Sequence, residues 1–221
     1  MQITRGGYRM TRDIEVYTHS SIRLTERDRK IYIDPFQMRR ENKDADFILI
    51  THDHYDHFSP EDIARVAGPS TVLVVPETMA DKAKSIAPLV SRIETVRPGQ
   101  IYNIDGLALE TVAAYNIGKS FHPKDAGWVG YIVMIPGQRV YIAGDTDETA
   151  EALNVICDVA MVPIGGTYTM DARQAAQLVN HIRPKVAIPV HYGGHVGKKT
   201  DAQIFRDHVD PSISVEVKML Y

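Results

Sequence analysis

The sequence predicts an α/β protein in which two β-rich halves, each followed by β/α units, pack two mixed sheets together with helices outside. Three features carry that expectation: short apolar runs bounded by turn residues, a change from hairpin spacing to strand–helix alternation, and the occurrence of that order twice along the chain.

In the first half, residues 14–17, 21–24 and 30–33 read as strands, the last two joined by the charged turn Glu26-Arg27-Asp28. Residues 47–50 are apolar at every position, which predicts a strand covered on both faces. Ser59 reads as a helix N-cap, with Pro60 in the first turn and Glu61 and Asp62 near the positive end of the dipole. Gly68-Pro69 stops that helix; residues 72–75 form a strand and 76–87 a helix. In the second half, residues 101–104, 107–113, 129–135 and 140–143 read as strands, with a hairpin turn at Pro136-Gly137-Gln138. Residues 145–153 are a loop leading into a short helix. Strand 159–162, helix 171–181, strand 186–190, helix 201–208 and a last strand over 213–218 follow. No linker, low-complexity tract or short-period repeat divides the chain, so residues 1–221 read as one domain.

Composition fits a compact enzyme. The 221 residues are 44% hydrophobic and 24% charged, with a formal charge of −3. That is enough apolar material for one shared core and no basic excess to bind nucleic acid. Cys157 is the sole cysteine, so no internal disulfide forms, which suits a reducing compartment. Its neighbours Val155, Ile156 and Val159 read it as a small core residue. Met1 to Gly7 lacks the apolar core of a signal peptide, and no apolar run approaches the ~20 residues of a membrane span. The expectation is a cytoplasmic protein with no membrane association.

The segment Thr51-His52-Asp53-His54-Tyr55-Asp56-His57 directly follows the apolar strand. Histidine and aspartate cost energy to bury and gain nothing from clustering on a plain surface. Divalent transition metals reward such a cluster, because zinc takes imidazole nitrogen and carboxylate oxygen. In an extended segment His52 and His54 point the same way and grip one ion; Asp56 and His57, where the chain turns, grip a second.

The pattern His-x-His-x-Asp-His after a buried strand resembles the signature of the metallo-β-lactamase superfamily. Within it, the chain looks most like the compact stand-alone bacterial hydrolases, the ascorbate-phosphate lactonase type included. The resemblance covers nearly the whole chain and implies a four-layer αβ/βα sandwich with metals at one edge, between the sheets. It also implies that Asp145, in Gly144-Asp145-Thr146-Asp147, bridges two metals, that His191 is the last histidine ligand, and that Asp34 braces the metal loop from behind. One motif departs from the family's pattern. Asn116 stands where a histidine is expected, and His122 follows six residues later. Asparagine is a poor zinc ligand beside imidazole. The loop is long enough to bring His122 back as the ligand; the alternative leaves that position open or water-filled.

Assembled, this reading puts His52, His54 and His122 on one ion and Asp56, His57 and His191 on the other, with Asp145 and a hydroxide between. Zinc is the first choice, and manganese or iron also suits the ligand set. The implied reaction is hydrolysis of an ester, lactone or phosphodiester in a small molecule. Asp56 orients the hydroxide as well as binding metal, and the leaving-group proton comes from Asp56, His195 or water. His19 reads as a supporting donor or substrate contact; His195 as a substrate contact, a proton donor or a plain loop histidine. His181 and His208 end helices and need no further role. Lys119, Lys124, Lys198 and Lys199 either recognise an anion or are simply solvated. Phe121 and Trp128 either wall the pocket or pack in the core. The competing function is a non-catalytic metal-binding or ligand-sensing protein on the same fold; a homo-oligomer is left open.

Overall fold

Side chains along Ile22–Glu26 alternate between buried and half-buried, the pattern of a strand with one face on a core. Residues 10–220 are described by a computed structural model. Met1 to Gly7, read above for a signal peptide, lie outside the described residues. Strands β1 (Ile14–Val16), β2 (Ile22–Glu26), β3 (Arg29–Ile33), β4 (Ala45–Leu49), β5 (Ala67–Pro76) and β6 (Arg92–Val96) form a six-stranded sheet in chain order. Its first pairings are antiparallel, and those from β3 to β6 are parallel. Strands β7 (Ile101–Ile104), β8 (Leu107–Ala113), β9 (Val129–Ile135), β10 (Gln138–Ile142), β11 (Val159–Pro163), β12 (Val186–Val190) and β13 (Ser214–Val215) form a seven-stranded sheet. It too begins antiparallel and becomes parallel at β10–β11.

The two sheets face each other across a core that includes Leu24, Ile31, Leu49 and Val74 from one and Leu109, Tyr131, Val133 and Ile188 from the other. Helix α1 (Pro60–Val66) and the segment around α2 (Ala80–Ala83) cover the outside of the first sheet, where Ile48, Ile63, Leu73 and Ile86 pack together. Helices α3 (Ala150–Leu153), α4 (Ala172–Ile182) and α5 (Asp201–His208) cover the second through Ala160, Val179, Ala187 and Phe205. This is the expected four-layer αβ/βα sandwich. Among the described residues, no helix is long and apolar enough to cross a membrane.

Local chemistry explains the helix starts. Ser59 caps α1, with Pro60 at its first position. Asp171 caps α4 in a capping box with Gln174. Strand β5 takes in Gly68 and Pro69, read as the stop between α1 and a strand over 72–75, and the sequence reading differs more widely from the structure in three other places. β6 escaped it, because an edge strand with Arg92, Glu94 and Thr95 exposed or half-buried lacks a strong apolar signal. The helix expected over 76–87 is broken into a 3₁₀ turn, the four residues of α2 and a second 3₁₀ stretch, Lys84–Leu89. Pro88 in that stretch has no N–H to continue an α-helical ladder. The last strand is only Ser214–Val215, because the chain then leaves the second sheet and returns to the first. There Leu220 N donates to the carbonyls of Val16 and Tyr17 at 2.9 and 3.2 Å, and Lys218 Nζ to those of Thr11 and Ile14.

Among the hydrogen bonds that tie the sheets together at one edge, two run from β9 to the residues just after β4. Val129 N donates to Thr51 O at 3.1 Å, and the buried Tyr131 hydroxyl donates to Ile50 O at 2.7 Å. Both acceptors lead directly into the histidine-rich segment. Tyr131→Phe removes one bridge and strands a buried carbonyl, so it should lower the unfolding free energy by about 1–2 kcal/mol in urea denaturation followed by circular dichroism. An unchanged midpoint would show that the bridge carries no load.

Candidate metal centre

Every residue of the centre follows the C-terminal end of a strand, and strand direction explains why they meet. β1 and β3 are both antiparallel to β2, and β4 is parallel to β3, so these three end at one edge of the first sheet. By the same parity β8, β10 and β12 end together in the second sheet. His19, Asp34 and His52 follow the first three; Asn116, Asp145 and His191 follow the second three. The chain must turn sharply as it leaves each strand. His19, Asp34 and His191 take φ of 52°, 46° and 56°, a region that costs an L-residue roughly 1–2 kcal/mol. Gly144, at φ 66°, precedes Asp145 where an added Cβ would sit 3.1 Å from Thr51 Cβ.

A hidden layer of hydrogen bonds orients the rings. Asp34 accepts from Thr51 N at 2.8 Å, from Thr51 Oγ1 at 2.6 Å and from His57 Nδ1 at 2.7 Å. Since the Thr51 hydroxyl proton goes to Asp34, its oxygen accepts from His52 Nδ1 at 2.9 Å. His122 Nδ1 donates to Asn116 Oδ1 at 3.0 Å. In the rings of His52, His57 and His122 Nδ1 is engaged, so the lone pair falls on Nε2, which faces the centre. Asp62 holds the neighbouring loop by accepting from Gln37 N and Met38 N, each at 2.8 Å. From outside, Lys82 donates to Asp53 O and draws the Asp53 carboxylate to 3.7 Å, away from the cluster.

The facing atoms form groups that lie within 4.8 Å of one another: His52, His54 and His122; His19, Asp56, His57 and His191; and His52, His57 and Asp145. His52 Nε2 is 3.2 Å from His54 Nδ1. Asp145 stands between the groups. Its Oδ2 is 3.4 Å from His122 Nε2 and 3.0 Å from His191 Nε2, and its Oδ1 is 3.4 Å from His57 Nε2. Yet Nε2 of His57, His122 and His191 and Oδ1 of Asp145 are buried without a partner in hydrogen-bonding geometry. Buried polar atoms are normally satisfied. A converging set of unsatisfied imidazole nitrogens and a carboxylate fits a divalent cation with N/O preference.

Electrostatics agrees. Burial would lower the pKa of His57, but Asp145, Asp34 and Asp56 surround it with negative charge and push it up to about 9. The same field attracts a cation. Burial holds His52 well below the usual histidine value, and His54 is lowered by burial and by His122. Burial would raise Asp145, but His191 and His57 pull it well below the usual carboxylate range. Asp56 is likewise held low against its burial by the hydrogen bond His19 Nε2 donates to it at 3.0 Å and by His57. Burial pushes His19 itself down to about 4, so it makes that bond as a neutral donor.

A sequence family described as the beta-lactamase superfamily domain matches residues 13–191. The chain belongs to that superfamily. A UPF0173 metal-dependent hydrolase of Pyrococcus abyssi is 32% identical over 87% of this chain and 90% of its own length. A second, from Thermococcus kodakarensis, is 35% identical over 76% and 80%. Among solved structures, a protein described as a metal-dependent hydrolase of Parabacteroides distasonis superposes with a TM-score of 0.76 at 29% identity, covering 94% and 93% of the two chains. The metallo-β-lactamase fold protein YhfI of Bacillus subtilis shares the fold alone, with a TM-score of 0.72 at 9% identity over 94% and 96%. The protein is a metal-dependent hydrolase of this superfamily.

Within the superfamily's pattern, the structure brings His52, His54, Asp56, His57, His122, Asp145 and His191 into one cluster. The loop after β8 folds back as the first of the two expectations required. Asn116 N donates to His122 O at 2.7 Å, and His122 N to Asn116 Oδ1 at 3.1 Å, so Asn116 carries the histidine and does not face the centre itself. Asp147 anchors the loop by accepting from Ile117 N and Lys119 Nζ. The sequence reading gave Asp147 no role; its one signal was a second acid two residues after Asp145. His19 lies closer to the cluster than expected, its ring centroid 3.8 Å from that of His191. His195 is outside the cluster, exposed at the cleft mouth, with Nε2 3.0 Å from Gln37 Nε2. Trp128 packs on His52, His54 and His122 at 5.0–5.6 Å between centroids.

His122→Ala should lose more metal affinity than Asn116→Ala, which should lose about 10–100-fold by freeing the ring. Calorimetric titration of the metal-stripped variants reads both. Equal affinity for Asn116→Ala and the parent protein would remove Asn116 from the design of the centre.

Proposed function

We propose that the protein hydrolyses an ester, lactone or phosphodiester bond in a small molecule at a pair of divalent cations, zinc being the first choice and manganese or iron compatible. The observation that carries this reading is the convergence of the partnerless Nε2 atoms of His57, His122 and His191 on Asp145. His52, His54 and His122 would hold one cation and Asp56, His57 and His191 the other, with Asp145 within reach of both groups. When bound, such a pair lowers the pKa of a water toward neutrality and polarises the scissile carbonyl or phosphoryl oxygen.

The chain's own residues supply the remainder. Asp56, held ionised by the hydrogen bond that His19 donates, accepts a hydrogen bond from the attacking water and fixes its position. Asp34 keeps His57 in the tautomer that presents Nε2. His195 is exposed beside Asp56 and His191 in the cleft lining and delivers the proton to the leaving group. Thr51, Asp34 and Tyr131 are buried behind the centre and keep solvent from that side.

Elemental analysis of purified protein should find up to two transition-metal ions per chain. Their removal by chelation should abolish turnover across a panel of esters, lactones and phosphodiesters, with recovery on readdition. Asp145→Ala should lose on the order of a hundredfold or more in kcat/KM and weaken metal occupancy, since it removes an atom shared by both ligand groups. Full occupancy in Asp145→Ala, with no turnover of any panel member by the parent protein, would sink the proposal.

A further inference from the structure

A cavity of about 370 Å³ opens beside the centre, lined by His54, Asp56, Asp145, His191 and His195 together with aromatic residues. That volume is near the lower end of the roughly 300–1,000 Å³ found for small-molecule sites, room for a compact ligand. A larger groove of about 760 Å³ lies on the outer face of the second sheet, with Lys124, Glu151 and Ile156 in its walls and none of the clustered ligands.

What lines the smaller cavity divides into two aromatic walls. Phe121 and Tyr168 form one, as an edge-to-face pair 4.7 Å between centroids at 85°. Tyr55 forms the other, backed by Phe36 at 6.1 Å and by His195 at 6.3 Å. Tyr55, Phe121 and Tyr168 are 67%, 42% and 38% exposed. Exposed aromatics gathered around one cleft are a groove for an apolar group rather than scattered surface residues. The chain that carries the ligands also carries the walls, because Tyr55 lies between His54 and Asp56, and Phe121 precedes His122.

Among the described residues, the cavity lining contains no lysine or arginine. The two lysines nearest in sequence to Phe121 are committed elsewhere. Lys119 Nζ donates to Asp147 Oδ1 at 2.5 Å and Thr169 O at 2.7 Å. Lys124 Nζ donates to Glu151 Oε1 at 2.7 Å and lies 4.6 Å over the Tyr115 ring. The anion-recognition role considered for these two lysines is therefore unsupported. A phosphate or carboxylate carried away from the scissile bond would meet ring faces there, with no lysine or arginine among the described lining residues to compensate its desolvation.

Resting on the hydrolase reading above, we infer that the substrate is an uncharged ester or lactone bearing a flat aromatic or apolar group, which slots between the Tyr55 wall and the Phe121–Tyr168 wall while its carbonyl faces the metal centre. Tyr55 and Phe121 are then the residues that set specificity.

The metal-loaded protein is assayed with benzyl acetate, ethyl acetate and 4-(acetoxymethyl)benzoate, which share an acetyl group and have similar alkoxide leaving groups. Binding of benzyl alcohol and of 4-carboxybenzyl alcohol is followed in parallel by saturation-transfer NMR. The inference expects kcat/KM for benzyl acetate to exceed that of the other two by about tenfold or more, the scale of an aromatic contact plus its buried area. It expects Phe121→Ala and Tyr55→Ala each to cut the benzyl-to-ethyl ratio several-fold, and benzyl alcohol alone to bind. Equal turnover of all three esters, or preference for the carboxylate, overturns the slot and leaves the hydrolase reading standing. Binding of benzyl alcohol that weakens in Phe121→Ala, without turnover of any ester, supports the slot and counts against ester hydrolysis. Absence of benzyl alcohol binding overturns the slot whatever the turnover.

Discussion

The fold brings buried imidazole nitrogens and carboxylate oxygens within a few ångströms of one another and leaves several of them with no partner of the protein's own. Each such atom costs roughly 1–3 kcal/mol to bury unsatisfied, more where charge is involved. The left-handed turns at His19, Asp34 and His191 add about 1–2 kcal/mol apiece. Set against a net stability of about 5–15 kcal/mol for a domain, this is a large local deficit. Its compensation comes from two sides: the dry core between the sheets, and the free energy of metal binding, about 10–16 kcal/mol for structural zinc in small folded peptides. A polar cluster this expensive makes sense as a binding site and poor sense as structure.

The deficit is tolerable because the groups behind His57 and His122 are hydrogen-bonded where the atoms facing the centre are not. Asp34 is 1% exposed and accepts three hydrogen bonds from Thr51 and His57. Burial raises its pKa, and those same donors oppose the shift. Asn116 does for His122 what Asp34 does for His57, with a neutral amide in place of a carboxylate. The substitution has an electrostatic logic. The centre already holds Asp56 and Asp145, and a neutral acceptor orients the ring without adding more negative charge beside it.

Much of this was legible in the chain itself. The run from His52 to His57 declares its chemistry because no structural pressure puts three histidines and two aspartates after a buried strand. Strands β8, β9 and β12 were readable to the residue because their largely apolar runs are bordered by Gly106, by Pro136 and by Lys185 and His191. What was not legible depends on contacts distant in sequence. Which way the loop from Asn116 to His122 folds is set by Asp147 and by the Tyr168 carbonyl, which accepts from Asn116 Nδ2 at 2.9 Å. That His19 reaches Asp56 depends on the parity of three strands, and no local pattern around His19 records it. The commitment of Lys119 to Asp147 and of Lys124 to Glu151 on α3 is equally invisible before the chain is folded.

The return of the chain's last described residues to β1 has a consequence for how the molecule behaves among its own copies. β1 is an outer strand of its sheet, and such strands offer unpaired carbonyls and amides to any passing segment, the usual starting point of intermolecular strand addition. Here Val16 is bridged to Met219, and the carbonyls of Val16 and Tyr17 accept from Leu220 N. The other outer strand of that sheet, β6, is guarded by the charges of Arg92 and Glu94 instead. One rim is shielded by side-chain charge and the other by a strap of backbone drawn from some two hundred residues away. Fraying of that strap would uncover a sticky rim next to His19, so crowding and self-association would first be felt at the same end of the molecule that does the chemistry.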